Sequence, residues 1–272
     1  MDRLRQSRIL LAATAAIAAP LAAQSAPGPA SDHWSWTVAP YLLMPTMSGD
    51  LQIGNMATVN VDAGANTIFS HLQFGAMLYV QARKGDWAFA LDGIYMDLAQ
   101  DISPSPDPTT GGTIVGSVNV TQGALEGFAF WRAQKHVEAA LGVLVNRVSS
   151  SGDFEALFTS GGIGIAIPFS SDRGATWAVP VAGVRWTPVD GKRWHVVVFG
   201  DVGTLGSDNW TWQLAPSAGY RFNDLLELSM QYRVLSLHYQ TAGPGGPGAL
   251  YVGPFLYDMD IYGPEIALGF HF

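Results

Sequence analysis

Along much of this chain polarity changes at every residue. From Trp210 to Phe222 the even positions are Trp210, Trp212, Leu214, Pro216, Ala218, Tyr220 and Phe222, and the odd ones Thr211, Gln213, Ala215, Ser217, Gly219 and Arg221. After Asn223, Asp224 and Leu225 the pattern resumes, with Leu226, Leu228, Met230, Tyr232 and Val234 alternating with Glu227, Ser229, Gln231 and Arg233. Side chains alternate faces along a strand, so each segment is read as a strand with one oily and one polar face, joined by a three-residue turn. Aromatics stand at both ends of the oily faces. A strand of roughly ten residues with that dressing suits a tilted membrane crossing, apolar side to lipid and polar side to a lumen.

The same period recurs from end to end. Trp34, Trp36, Val38, Pro40 and Leu42 share a face, as do Leu72, Phe74, Ala76, Leu78 and Val80 in a strand expected over 71–84. Trp87, Phe89 and Leu91 alternate with Ala88, Ala90 and Asp92; Val137, Ala139, Leu141, Val143 and Val145 form another stripe; Ile266, Leu268, Phe270 and Phe272 close the chain. Lys84–Asp86, Ala133–Lys135, Asp190–Arg193 and Asn223–Leu225 read as short polar turns. The other connections read as loops, mostly rich in Gly, Pro or Ser: 49–64 with some strand content, 101–112 with its three prolines, 149–174 with room for a short hairpin, 206–209 and 241–257. The expectation is an all-β, transmembrane, antiparallel up-and-down β-barrel of ten strands over residues 34–272. Eight or twelve strands follow if 46–64 or 149–174 is read differently. Short turns on one side and long loops on the other are the pattern of bacterial outer-membrane barrels.

Composition adds the compartment. Arg3, Arg5 and Arg8 precede an apolar run over Ile9–Ala19, and small residues follow, so residues 1–23 read as a secretory signal peptide cleaved somewhere in 22–26, with 24–33 a leader. Its removal takes away three arginines and one aspartate and moves the net charge from −8 to −10, which excludes nucleic acid as a partner. Cysteine is absent, so no disulfide framework or thiolate metal site is expected. Only 13 % of residues are charged, against 31 glycines and nine tryptophans, a composition in which a lipid-facing belt replaces a charged surface.

Five short motifs carry a resemblance. Trp34 and Trp36 lead to Pro40-Tyr41-Leu42; then come Gly200-Asp201-Val202-Gly203, Thr211-Trp212-Gln213, Gly219-Tyr220-Arg221-Phe222 and Tyr232-Arg233-Val234-Leu235. In these the chain resembles a family of Gram-negative outer-membrane β-barrel proteins. Thr204 departs from it where a second glycine is usual, as does Ala178-Val179-Pro180 where an acidic residue before proline is expected. The resemblance implies fold and bacterial outer-membrane location, and carries no activity with it. The terminal aromatics Phe270 and Phe272 resemble the signal read by the barrel-assembly machinery, which with outer-membrane lipid makes up the expected partners of a monomer.

Candidate chemistry lies on the polar face. Asp92, Glu126, Glu138, Asp201, Arg221, Glu227, Arg233 and Glu265 are expected to point into the lumen. Arg221, Glu227, Arg233 and Glu265 fall on successive strands and are read as one charge network. Such a network either plugs a narrow lumen or lines a selective pore. Ten strands enclose little more than side chains can fill, and unpaired charge off water is expensive, so the plug is preferred. Trp34, Trp36, Trp87, Trp210, Trp212 and Tyr220 are read as the membrane girdle rather than a sugar-stacking surface. Arg132 and Arg185 sit in strands whose phase the pattern leaves open.

No enzyme, cofactor or metal is expected. No G-x-S-x-G, H-E-x-x-H or phosphate loop stands in the chain. His71, His238 and His271 lack sequence neighbours to orient them, and His195 stands six residues from Asp201. A catalytic reading requires a serine or aspartate within reach of a histidine at the outer rim. The reading is a structural barrel, with a narrow passive channel as the alternative and an outer-rim protease or lipid-modifying enzyme behind both.

Overall fold

The computed structural model describes residues 32–53, 58–106, 113–160, 163–241 and 254–272; the expected signal peptide and most of the expected leader lie outside them. In chain order come β1 (Ser35–Leu43), β2 (Thr46–Ile53), β3 (Val59–Ala63), α1 (Ala65–His71), β4 (Leu72–Lys84), β5 (Trp87–Pro106), β6 (Thr113–Gln134), β7 (Val137–Ser160), β8 (Ile163–Asp190), β9 (Trp194–Thr204), β10 (Asn209–Arg221), β11 (Leu226–Thr241) and β12 (Phe255–His271). β1 and β4 to β12 pair antiparallel in order, and β1 pairs with β12 to close a ten-stranded barrel. At the seam Trp36 and Phe272 exchange both backbone hydrogen bonds, each 2.9 Å. Closure leaves the ring without an edge, as lipid requires, because a backbone N–H in hydrocarbon has no water to turn to.

Alternation sets the two faces. On β10 and β11 the even residues face outward and the odd ones inward, as the sequence predicts, with Met230 57 % exposed and Gln231 4 %. On β5 the outward apolar run lasts from Trp87 to Tyr95 and then meets Asp97. The neighbouring strands change at the same level, to Thr121 and Asn119 on β6 and to Arg147 and Ser149 on β7. Nine residues of tilted strand match an apolar band about 25 Å tall. Past that level β5 to β8 continue as a paired wall standing beyond the belt.

That wall corrects the expected loops. Residues 101–106 are strand, and 149–174 is one continuous hairpin of β7 and β8 apart from residues 161–162, outside the description like 107–112. The prolines suggested loops because a strand proline cannot donate to the ladder. Among the described strands β5 beyond Leu98 pairs with β6 alone, and β8 before Val181 with β7 alone. Pro104, Pro106, Pro168 and Pro180 thus lie on edge segments that tolerate them. The expected loop 49–64 is also more regular: β2 pairs with the outer half of β12, β3 pairs with β2, and α1 turns the chain into β4. His71 therefore ends a helix instead of opening a strand. The Lys84–Asp86 turn is as expected, a two-residue hairpin loop with Gly85 in the left-handed region at φ 59°.

Candidate functional site

The inward side chains meet one another across the barrel at three levels. Nearest the short turns, Glu138 on β7 takes Arg83 Nη2 of β4 at 2.6 Å and Arg185 Nε of β8 at 2.6 Å. Arg185 Nη1 also donates to Gln81 Oε1 on β4 at 2.8 Å, and its guanidinium lies 3.8 Å from the centre of the Phe130 ring. β4 and β8 stand four places apart around the ring, so this contact crosses the lumen. Arg132 reaches the same carboxylate at 3.9 Å. Both arginines of open phase therefore face inward, although only Glu138 was read as a lumen charge beside them.

At the same end a second cluster surrounds Glu227. Arg221 Nε donates to its Oε2 at 3.1 Å, and His195 Nε2 and His271 Nε2 lie 3.3 Å from its two oxygens. His271 Nδ1 is 3.2 Å from Thr37 Oγ1, across the β12–β1 seam. Gly219 makes room for the His195 ring, since a Cβ there would stand 2.2 Å from His195 Cε1. The sequence hid these histidines because their partner is supplied by other strands.

The middle level is acidic. Arg233 Nη2 lies 3.0 Å from Glu265 Oε2, both fully buried. Tyr41 donates to Asp92 at 2.9 Å, and Gln213 Nε2 donates to Glu126 at 3.0 Å and to Asp201 at 2.5 Å. Gln213 on β10 reaches Glu126 on β6 from the opposite wall. The single network expected from Arg221, Glu227, Arg233 and Glu265 is thus two pairs at different heights. Glu227 and Arg233 are six residues apart on one strand, some 20 Å, too far for side chains to merge them.

Above the acidic level the lumen is apolar. Trp177 on β8 stacks on Tyr239 of β11 at 5.0 Å between ring centres and touches Phe255 and Tyr257 of β12. Gln122 on β6 donates to the Tyr257 hydroxyl at 3.3 Å, again across the barrel. This aromatic cap was not foreseen, because inward phase alone does not say which inward residues meet.

Outside, Trp34, Trp36, Trp87, Trp210 and Trp212 are exposed on the outer face of the barrel; Tyr220 is half-buried, packed against Trp194 and Phe222 and bonded through its hydroxyl to Arg193. Trp131, Trp186 and Trp194 extend the ring at the turn end, and Trp177 alone of the nine tryptophans lies in the lumen. Phe272 projects outward at 70 % exposure. The outer-rim criterion for an enzyme is met in part: His238 Nδ1 stands 3.2 Å from Asp258 Oδ1. The pair lies on the outward phase of its strands, with the imidazole stacked on Trp210, so it faces away from the lumen. Among the described residues no group of three or more His, Asp or Glu side chains is placed to hold a metal ion.

Compared with known proteins, the chain matches no family model and no curated sequence is similar to it. Solved structures do superpose. The outer membrane protease OmpT from Escherichia coli aligns over 89 % of this chain and 97 % of its own at a TM-score of 0.52 and 8 % identity. The P. putida toluene transporter TodX aligns over 89 % and 90 % at 0.34 and 8 %, and the translocator domain of the autotransporter NalP from Neisseria meningitidis over 88 % and 89 % at 0.29 and 9 %. Likeness at that identity speaks of architecture only, and the protein is a closed antiparallel β-barrel of the kind found among outer-membrane proteins.

Proposed function

We propose that this protein is a monomeric integral barrel of the bacterial outer membrane with a structural role, its lumen closed to solutes by its own side chains. The observation that supports this is the set of contacts across the lumen: Arg185 to Gln81, Gln213 to Glu126 and Gln122 to Tyr257, one at each of three heights. A water-filled channel keeps its lining wet, whereas Arg185, Arg233, Glu265, Asn146 and Phe199 here are fully buried. The role is not catalytic: the His238–Asp258 pair faces outward beside a girdle tryptophan. Export through the signal peptide and recognition of Phe272 by the barrel-assembly machinery complete the reading.

The alternative, a narrow passive channel, draws support from the acidic middle level, where Asp92, Glu126, Asp201 and Glu265 stand around Arg233 and would favour cations. Recording from single barrels in a planar bilayer separates the two. The closed barrel gives no steps above the bare membrane. Uniform, long-lived steps from wild-type protein, with cations preferred over anions, establish the channel instead.

A further inference from the structure

At the turn end the lumen opens into a cavity of about 520 Å³ between the β12–β1 seam, β4 and the β10–β11 turn. Its inner wall is made by Thr37, Gln81, Arg83, Arg221 and His271. Arg83 is 4 % exposed and its Nη2 bonds Glu138; its Nε and Nη1 have no hydrogen-bond partner among the described residues. A guanidinium carries five N–H donors in a planar fork, and leaving buried ones unsatisfied is costly. The surrounding charge is positive. Among the described residues Arg83, Arg132, Arg185 and Arg221 gather here around Glu138 and Glu227 inside and Asp224 at the rim, with His195 and His271 beside them. On a chain of net charge −8 this is a local reversal.

The cavity is also amphipathic. Its outer wall is Trp36, Leu225 and Phe272, all exposed on the lipid side at the level of the girdle. Two arginines lining one space with polar hydroxyl and amide neighbours suit an oxyanion with several acceptor oxygens, above all a phosphate. We propose that this mouth is a phosphate-binding site, its occupant either a phospholipid headgroup with its chains along Trp36 and Phe272 or a free phosphate from the surrounding water. The site is independent of whether the lumen conducts.

The test uses the folded full-length barrel in an uncharged detergent, titrated separately with inorganic phosphate and with phosphatidylglycerol, binding being read by calorimetry and native mass spectrometry. Saturable one-to-one binding is expected, weakened at least tenfold by Arg221→Gln, whose side chain is 24 % exposed and so tolerates change. Arg83→Gln is expected to weaken it as much, and Arg83→Lys to restore part of it; heat-modifiable gel mobility confirms that each variant is folded. Binding of the lipid without inorganic phosphate assigns the headgroup, and binding of both assigns a general phosphate site. Absence of both, or affinity unchanged in Arg221→Gln, overturns the proposal.

Discussion

Arg233 gives the sharpest test of the lumen. Among the described residues it is the cation of the middle level, 3.0 Å from Glu265 and within electrostatic reach of Asp92, Glu126 and Tyr41. Arg233→Ala leaves a fully buried carboxylate without its counter-ion and opens space where the guanidinium stood. Breaking a buried pair from one side costs about 3–5 kcal/mol, a factor of roughly two hundred to five thousand in the folding constant. Replacing both partners, Arg233→Met with Glu265→Gln, removes the orphaned charge and keeps most of the volume. Neutral replacement of a buried pair is commonly near neutral or stabilising, so the double variant should recover part of the loss, Asp92 and Glu126 still lacking their cation. Reversible urea titration in lipid vesicles, followed by tryptophan fluorescence, measures both. A loss below about 1 kcal/mol for Arg233→Ala, or a double variant no better than the single one, refutes the argument.

Three other outcomes follow from the same geometry. Met230→Arg, on the lipid face within the belt, should cost about 2–4 kcal/mol in that titration, whereas Asn119→Arg, outward but past the belt, should cost close to nothing; equal costs would misplace the belt. Gly219→Ala should destabilise by about 1–3 kcal/mol, because its Cβ meets the buried His195 ring and drives it off Glu227; wild-type stability would show that the ring moves freely. Deleting Phe272 removes the two seam hydrogen bonds to Trp36 and the exposed terminal aromatic, and should leave exported but unassembled protein lacking heat-modifiable mobility; wild-type assembly would separate closure from that residue.

The packed lumen also alters an expectation about Gln231. By sequence alone an arginine there enters a wet, tolerant lumen. In the structure Gln231 is buried opposite Glu265, so Gln231→Arg adds charge and bulk to a filled layer. The face was legible and the environment was not.

What the sequence determined by itself is whatever period two determines. Alternation from Leu226 to Val234, or from Trp87 to Asp92, assigns faces residue by residue, because side-chain direction on a strand is a local property. The short turns to within a residue or two, the closing strand and the ten-strand count follow from it. Tertiary structure decided the rest. Glu138 meets Arg83 and Arg185 from 55 and 47 residues away, and Glu227 gathers histidines from two other strands; these encounters depend on strand order and register around the ring. The outer hairpin of β7 and β8 lies in Gly- and Ser-rich sequence, and the β2–β3 hairpin in sequence of irregular alternation. Pairing with a distant neighbour made them strand, and pairing is a property of the closed barrel, not of the segment.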